Sequence, residues 1–467
     1  MPNAQHPSAS PNPSRHDCLK VSAAQYGRAY WPAGTGLAAT GLLSRVAYAA
    51  GSDTVKIGLV GCGGRGTADA KNCVESTPGV ILWALADLFK DRIDPVRANL
   101  QKALGEKMQV TDERCFTGFD NCAKLLASGI DLVLLCEPPG FRPSHMKLAV
   151  EAGKHLFCEK PVCVDPAGAR SVIATSELAA QKKRVIVAGT QFRHDALYVE
   201  CMKRILDGQL GTRIGGQCYF LAAPLWYRQP KPEWSEMENQ CRNWYYYTWL
   251  SGDHIVEQHV HDIDLMNWAF GGPPVKCVAV GGRQVRAAPK WGNIYDHFAV
   301  EYEYPGGARV ASYCAQFGGK AAMRFLADRI VGTDGVCNLS SGSIDGKKPW
   351  TFEGDRRDPS VQEHTDLITS IRSGNLLNDG KRVAESSLTA VMGRMAAYTG
   401  REIKYDWVMN ASKLNLFPEK LEFGPHPVDP VAMPGQTPLA AGDESDPSPP
   451  KARGTKKAGD KSKTGKK

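Results

Sequence analysis

The sequence predicts an α/β domain with a doubly wound parallel sheet in its N-terminal half, and three observations support this. "VKIGLV" at residues 55–60 is a short continuous apolar run, which is typical of a strand buried on both faces of a parallel sheet. A glycine-rich turn follows this run directly and leads into a segment with helical character. Two further apolar runs, at residues 80–89 and 130–139, continue the pattern.

The composition is that of a globular protein. Of the 467 residues, 42% are hydrophobic and 23% are charged, which excludes a disordered, fibrous or membrane-spanning chain. The net charge of +8 is concentrated in residues 451–467, where seven Lys and one Arg face one Asp, so the rest of the chain carries only +1. No nucleic-acid groove is expected on such a balanced body. No apolar stretch reaches the roughly 18 to 20 residues that a membrane span requires.

The glycine-rich turn "GCGGRG" is predicted to bind a dinucleotide. Gly61, Gly63 and Gly66 match the G-x-G-x-x-G pattern between a strand and a helix. The first glycine allows the tight turn, the second lets the backbone approach a pyrophosphate, and the third allows close helix packing. The start of the helix offers free N–H groups to the phosphates.

The run "VILWALADLF" predicts which nucleotide is bound. Asp87 lies 26 residues after Gly61, where an acidic side chain can accept a hydrogen bond from a ribose 2′-hydroxyl. A carboxylate there repels a 2′-phosphate, so NAD is preferred over NADP, while the nearby Arg92 keeps NADP open. The next run ends at Pro138 and Pro139, where its loop opens onto the crevice in which ligands lie.

The segment "HMKLAVEAGKHLFCEKPV" resembles the glucose–fructose oxidoreductase, inositol dehydrogenase and MocA family. Residues 159–161 match the E-K-P signature of that family, and the resemblance covers residues 54 to about 416. It implies a Rossmann domain followed by an α+β domain with a large open, mostly antiparallel sheet, and a substrate held between that sheet and the nicotinamide. The predicted cofactor contacts are Gly61, Gly63, Gly64, Arg65, Gly66, Asp87, Glu137, Pro138, His145, Glu159 and Lys160.

Lys160 is the principal catalytic candidate. Read from the residues alone, it is a cation beside Glu159 and a proline, and a surface ion pair would explain it. A lysine in a partly desolvated pocket has a lowered pKa and can exchange a proton with a sugar hydroxyl. The resemblance gives Lys160 this acid/base role.

The segment "SGDHIVEQHVHDIDLMNWAFGG" predicts a helix that carries further catalytic groups. Glu257 and His261 are four residues apart and would share a face, where His261 can relay a proton and Glu257 can orient it. The family pattern has Asp and Gly where this chain has Glu257 and His259. His254, Glu257 and His261 also have a spacing that metal ligands tolerate. Because Lys160 can move the proton, no metal is predicted.

Substrate contacts are predicted on two segments. Residues 226–249 are dense in aromatic side chains, and Trp244 and Tyr245 could stack on sugar rings or could instead form loop core or a subunit contact. Arg193 and Tyr198 follow the run "RVIVAG" and resemble the substrate-side loop of the family, although Arg193 could equally be a structural ion-pair partner. The alternating segment at 297–317 predicts a hairpin that turns at residues 305–307.

The predicted organisation has four parts: a signal-like or disordered segment at 1–53, a Rossmann domain at 54–180, an α+β substrate domain at 181–424 and a disordered basic tail at 425–467. The first segment has the order of an export signal, with a positive, an apolar and an A-x-A region. It resembles a twin-arginine signal in which His16 replaces the second arginine. Export to the periplasm is therefore expected, with a cytoplasmic location as the alternative.

The sequence thus predicts an NAD-dependent oxidoreductase that acts on a sugar, cyclitol or related polyol. Two alternatives remain: a glycoside-cleaving enzyme that uses transient oxidation and elimination with the same lysine and nucleotide, and a non-catalytic nucleotide-binding module. The family resemblance also implies a homo-oligomer that assembles through the open sheet face.

Overall fold

The structure is a computed structural model that describes residues 54–320 and 322–439. The signal-like segment at 1–53 and residues 440–467 lie outside the described residues, so the expectation of export stays a prediction. Within the described part of the chain, no helix combines the length and the apolar character needed to cross a bilayer.

The first domain is built on a six-stranded sheet in the order β3-β2-β1-β4-β5-β6, in which all neighbours are parallel. Its strands are β1 (Val55–Val60), β2 (Val80–Ala86), β3 (Cys115–Phe116), β4 (Leu132–Leu135), β5 (His155–Cys158) and β6 (Ile186–Ala188). Strands β4 and β5 are buried along their whole length, as their continuous apolar sequences predict. The strand order reverses between β1 and β4, and this is where a ligand crevice forms in such sheets.

Helices cover both faces of this sheet. They are α1 (Gly64–Ser76), α2 (Lys90–Leu104), α3 (Asn121–Leu126), α4 (Arg142–Glu151) and α5 (Pro166–Gln181). Two apolar clusters lie between sheet and helices, one on each face, and alternate residues of β1 contribute to each: Ile57 and Leu59 to one, Val60 to the other. The α/β fold class predicted from the apolar runs is confirmed.

The second domain contains a nine-stranded sheet in the order β14-β13-β12-β11-β7-β10-β9-β8-β15. Only β7 and β10 pair in parallel, so the sheet is mostly antiparallel, as the family resemblance implies. The strands are β7 (Arg213–Ala222), β8 (Lys276–Gly282), β9 (His297–Glu303), β10 (Arg309–Gln316), β11 (Phe325–Gly332), β12 (Gly335–Asn338), β13 (Ser343–Gly346), β14 (Trp350–Thr351) and β15 (Ile403–Lys404). The predicted hairpin is confirmed as β9 and β10.

The helices of the second domain pack on one face of its sheet and also reach back to the first domain. They are α6 (Ala196–Leu206), α7 (Glu236–Arg242), α8 (Thr248–Ser251), α9 (His254–Glu257), α10 (Val260–Phe270), α11 (Pro359–Ser373), α12 (Gly380–Thr399) and α13 (Tyr405–Asn410). Leu367 and Ile368 of α11 join the apolar core of the Rossmann sheet. Helix α11 therefore belongs to the packing of the first domain although it follows the second sheet in sequence.

Three features differ from the sequence-based expectations. The parallel sheet continues past residue 180, because β6 pairs with β5. Residues 425–439 were expected to be disordered, but Ala432 and Leu439 are buried in the core of the second domain, and the Tyr295 hydroxyl donates to the Ala432 carbonyl (2.9 Å). A single helix was expected across the "HIVEQHVHD" segment. The structure has two helices there, α9 and α10, and Gln258 and His259 separate them.

Candidate active site

The glycine-rich loop closes tightly at two positions and stays open at two others. Gly61 has a φ of +96°, and a Cβ there would lie 2.5 Å from the Glu137 amide nitrogen. A Cβ on Gly66 would lie 2.1 Å from the Gly61 carbonyl oxygen. At Gly63 and Gly64 a Cβ would meet nothing within 4 Å. The loop is thus shaped by Gly61 and Gly66, and its open side lies at Gly63 and Gly64.

This open side has the properties that a pyrophosphate requires. Helix α1 begins at Gly64, and its N-cap, Gly63, provides no side-chain hydrogen bond. The first turn of α1 carries no acidic residue. The N–H groups and the positive end of the helix dipole therefore remain available to an anionic group. The residues present fit a dinucleotide at this loop.

Asp87 follows β2 and contacts the loop, as the spacing predicted. Its carboxylate accepts from the Cys62 N–H (2.8 Å) and from the Phe89 N–H (3.0 Å). Burial raises the pKa of Asp87, and these two hydrogen bonds oppose the rise. Each oxygen keeps a free lone pair, so the oriented carboxylate can still accept a hydrogen bond from a ribose hydroxyl.

The loop after β4 carries Glu137, and the helix α4 that follows this loop carries His145. The His145 ring nitrogen lies 3.2 Å from Glu137 Oε1. Burial lowers the pKa of His145, but the hydrogen bonds with Cys122 and Glu137 outweigh it and raise the value to about 10. His145 is therefore an imidazolium paired with Glu137, next to the backbone that Gly61 contacts.

Lys160 lies after β5 and reaches into the second domain. Its Nζ donates to the Glu257 carbonyl oxygen (2.6 Å) and lies 3.2 Å from Glu257 Oε1. Both side chains are buried, with exposed fractions of 7% and 9%. This is a buried ion pair between the two domains and not the surface pair with Glu159 that the residues alone suggested. Glu159 instead faces Arg65, whose Nε lies 3.4 Å from its Oε1.

His261 lies close to this pair, but it does not share a helix with Glu257. Glu257 ends α9 and His261 is in the first turn of α10, so the break at residues 258–259 sets their relative position. Burial lowers the pKa of His261, and the charges of Lys160 and Arg65 lower it further. The His261 imidazole is therefore neutral and a weak base, so it can pass a proton on from one ring nitrogen to the other but does not retain one.

Aromatic and polar side chains of the second domain lie near Glu257. The hydroxyl of the buried Tyr245 accepts from Gln316 Nε2 (2.8 Å), and Arg286 hydrogen-bonds the amide oxygen of Gln316. Burial and the charge of Glu257 raise the pKa of Tyr245, so its hydroxyl stays protonated. Trp244 is half-buried, and its ring packs edge-on against Tyr245.

Two of the predicted substrate contacts have other partners. The Arg193 guanidinium binds both carboxylate oxygens of Asp264 (2.7 and 3.0 Å) and lies over the Trp268 ring. The Tyr198 ring stacks on Phe192 and belongs to the core of the second domain. The structure thus supports the ion-pair interpretation of Arg193, and it places Tyr198 in the apolar core.

The two remaining histidines of this segment are fully buried. The His259 ring hydrogen-bonds Asp262 (2.8 Å) and Ser312 (2.7 Å). The His254 ring lies edge-on to Phe298, and burial keeps its pKa well below the ordinary value. His254, Glu257 and His261 do not converge on one point.

One residue that sequence analysis missed connects the loops around Lys160. Arg142 is buried and donates to the carbonyls of Pro161 and Glu137 (both 2.6 Å). It therefore ties the loop after β5 to the loop after β4. Nothing in "GFRPSH" distinguishes this arginine from an ordinary helix N-terminal residue, because both of its partners are backbone atoms.

Both domains are similar to known oxidoreductases. Residues 55–190 match the oxidoreductase family with an NAD-binding Rossmann fold, and residues 202–337 match the Gfo/Idh/MocA C-terminal domain. The boundary between the two matches falls after β6, where the structure also ends the parallel sheet.

Individual relatives are distant. An inositol 2-dehydrogenase from Saccharopolyspora erythraea is 24% identical over 259 residues, which cover 55% of this chain and 65% of that enzyme. The match thus spans less than two thirds of the relative's own length. The solved aldose-aldose oxidoreductase from Caulobacter crescentus, complexed with glycerol, superposes with a TM-score of 0.58 at 18% identity, covering 75% of this chain and 99% of that one. A levoglucosan dehydrogenase in complex with NADH and levoglucosan gives 0.57 at 15% identity, with coverages of 75% and 99%.

Proposed function

This chain belongs to the Gfo/Idh/MocA oxidoreductase family, and we propose that it transfers hydride between NAD and a hydroxyl-bearing carbon of a sugar, cyclitol or related polyol. The observation that carries the proposal is the buried Lys160–Glu257 pair beside the cofactor crevice. Relatives that share this fold include an inositol dehydrogenase and a levoglucosan dehydrogenase, which supports a polyhydroxylated substrate.

The chemistry requires a proton acceptor beside the carbon that loses hydride. Nicotinamide, when bound, supplies the hydride acceptor. Lys160 Nζ is the acid/base group, because it is held in a fixed position by the Glu257 carbonyl and carboxylate. Neutral His261 relays the alcohol proton away from this lysine, since one ring nitrogen can release a proton as the other accepts one, and in the reverse direction Lys160 returns a proton to the forming alkoxide. Glu257 stabilises the ammonium and accepts hydrogen bonds from substrate hydroxyls.

Specificity for NAD over NADP follows from Asp87. Its carboxylate is fixed by two backbone N–H groups beside the glycine-rich loop. A ribose 2′-hydroxyl can donate to it, whereas a 2′-phosphate would place two like charges in contact.

The proposal is tested first on the purified full-length protein. Mass spectrometry of the denatured protein identifies any retained nucleotide, and NAD reduction at 340 nm is followed with a panel of sugars, cyclitols and polyols. We expect NAD to bind and at least one polyol to be oxidised. Protein that binds neither NAD nor NADP would overturn the proposal, and cleavage of a glycoside without net NAD reduction would favour the elimination reaction.

The catalytic assignment is tested with Lys160→Met and a matched control, Lys154→Met. Lys154 lies just before β5, whereas Lys160 lies just after it. Lys154 Nζ also donates to a backbone carbonyl, that of Ile130 (2.7 Å). Loss of general acid/base catalysis predicts a kcat lower by about 10²- to 10⁴-fold in Lys160→Met with NAD affinity retained. Lys154→Met should keep the wild-type kcat. Equal kcat values in the two variants would refute the role of Lys160.

We further propose that the open face of the large sheet binds a second copy of the chain. The helices α10 and α12 cover the other face, and the open one exposes Val278, Val280 and Tyr313, with 71% exposure at Val280. Light scattering of Val280→Glu should give a smaller particle than wild type. Val285→Glu, at an exposed loop valine, is the control. A wild-type monomer would overturn this part of the proposal.

A further inference from the structure

A second cluster of ionisable side chains lies beneath the cofactor loop, outside the catalytic pair. Asp69 is on α1, and Glu363 and His364 are adjacent residues of α11. All three side chains are buried, with exposed fractions of 0%, 1% and 0%. Each offers one oxygen or nitrogen atom, and these atoms lie within 4.8 Å of one another.

The cluster is distinguished by unsatisfied polar atoms. Among the described residues, none forms a hydrogen bond with Asp69 Oδ1, Glu363 Oε2 or either ring nitrogen of His364. Leaving such an atom without a partner costs about 1–3 kcal/mol, so several together in one place require an explanation. The His364 ring is held in position by Phe157, with 4.3 Å between ring centroids.

A second buried acidic group in the same molecule forms hydrogen bonds among its own members, although Asp328 Oδ1 has no partner among the described residues. The carboxyl groups of Asp262 and Asp328 hydrogen-bond each other, and His259 uses one ring nitrogen on Asp262 and the other on Ser312. A proton shared between the carboxyl groups accounts for that cluster. Asp69 and Glu363 form no such mutual hydrogen bond.

The charges of the side chains around this cluster also favour a bound cation. Asp69, Glu363 and the nearby Glu159 are acidic, and Arg65 is the cation that faces both Asp69 (3.7 Å) and Glu159 (3.4 Å). With neutral His364, the ionised group carries a net charge of −2, which one divalent cation would balance.

We propose that Asp69, Glu363 and His364 bind one divalent transition-metal ion that joins α1 to α11. Two carboxylate oxygens and one imidazole nitrogen form a donor set that suits Mn²⁺, Fe²⁺ or Zn²⁺ better than Mg²⁺ or Ca²⁺. The ion has a structural role: it fixes the helix that carries the glycine-rich loop to a helix from the C-terminal part of the chain. This site is independent of the proposed hydride transfer.

The test uses full-length protein stripped with a chelator and titrated with MnCl₂. Mn²⁺ is chosen because the chain contains 14 cysteines, whose thiolates would bind Zn²⁺ elsewhere. Loss of the electron paramagnetic resonance signal of free Mn²⁺ should report one ion per chain. Saturation should raise the midpoint of thermal unfolding by about 5 °C, since the ion binds the folded state alone.

Variants then assign the site. Glu363→Gln and His364→Gln keep the side-chain volume and should weaken Mn²⁺ binding by at least about 100-fold, because each removes a direct ligand. Asp328→Asn changes the second buried acidic group, with Asp262 and His259, and should bind Mn²⁺ as wild type does. Circular dichroism checks that each variant is folded.

Two outcomes would overturn the proposal. Stripped wild-type protein that binds no Mn²⁺ and shows no change in unfolding temperature would assign the cluster to shared protons alone. Mn²⁺ binding that survives in both Glu363→Gln and His364→Gln would place the ion elsewhere. Because the readouts are metal content and unfolding temperature, neither outcome depends on catalytic activity.

Discussion

The two ends of the parallel sheet contain similar side chains in different surroundings. Lys154 and Lys160 flank β5, and each ammonium group donates to a backbone carbonyl. At the amino end Lys154 Nζ donates to the Ile130 carbonyl, which also belongs to the first domain. At the carboxyl end the second domain adds the Glu257 carboxylate to Lys160. The two lysines therefore differ in the carboxylate that the second domain places beside Lys160.

Glycine substitutions should show the largest difference between the two ends of the sheet. Gly66→Ala brings a Cβ to 2.1 Å from the Gly61 carbonyl and must displace the cofactor loop, so NAD affinity should fall by about 100-fold, the equivalent of about 3 kcal/mol. At the amino end, Gly153 has a φ of +71° but nothing within 4 Å of a Cβ. Gly153→Ala should cost about 1–2 kcal/mol of stability and leave NAD binding intact. Titration calorimetry with NAD measures the affinity of each variant, and thermal unfolding measures its stability. Equal NAD affinities in the two variants would contradict the assigned role of the loop.

The two ends should also differ in their pH dependence. Burial and Arg184 lower the pKa of His155, at the start of β5, to about 4, whereas Glu137 and Cys122 raise that of His145, near the carboxyl end, to about 10. Both have an ordinary value of 6.5 when unfolded. His155 therefore reduces stability as pH falls from about 6.5 to 4, and His145 does so as pH rises from about 6.5 to 10, each with a slope of up to about 1.4 kcal/mol per pH unit.

Urea unfolding across this pH range checks the assignment. His155→Gln should flatten the acid limb of the stability curve and His145→Gln the alkaline limb. Curves that remain parallel to wild type in both variants would show that these histidines do not control the two limbs.

Removing the carboxylate at Glu257 should make Lys160 resemble Lys154. In Glu257→Gln the carbonyl contact remains, but the ion pair is replaced by a neutral hydrogen bond. A loss of about 1.4 kcal/mol in a charge-assisted interaction predicts a kcat about tenfold lower, with NAD affinity unchanged. Steady-state kinetics measures this change, and a variant with wild-type kcat would show that the carboxylate is dispensable.

The smallest effect is expected from the aspartates. Asp87 and Asp131 both accept from a backbone N–H of a neighbouring segment, Cys62 (2.8 Å) and Lys56 (2.9 Å) respectively. Asp87→Asn removes the repulsion of a 2′-phosphate and should shift the ratio of NAD to NADP affinity by about tenfold toward NADP. Asp131→Asn, at the amino end, should leave that ratio unchanged. Nucleotide titrations distinguish the two, and an unaltered ratio in Asp87→Asn would refute the basis of the NAD preference.

Local patterns predicted the parts of the site that lie next to each other in sequence. The loop of Gly61 to Gly66, Asp87 and the strand ends could be placed because a buried strand followed by such a turn has few alternatives. The predictions that differed from the structure depend on distant partners. Arg193 binds Asp264, and Ala432 is buried by packing that its own segment does not encode. The break between α9 and α10 likewise has no breaker residue, because neither Gly nor Pro occurs there.

The sequence by itself determined the Rossmann domain, the dinucleotide loop, the family and the chemical groups available for catalysis. Only the tertiary structure decided which of these groups meet. Lys160 and Glu257 are 97 residues apart in sequence, and Asp69 and Glu363, on α1 and α11, are farther apart still. The physical reason is that such contacts form only when distant segments pack against each other. Their burial and charge pairing therefore cannot be read from any local run of residues.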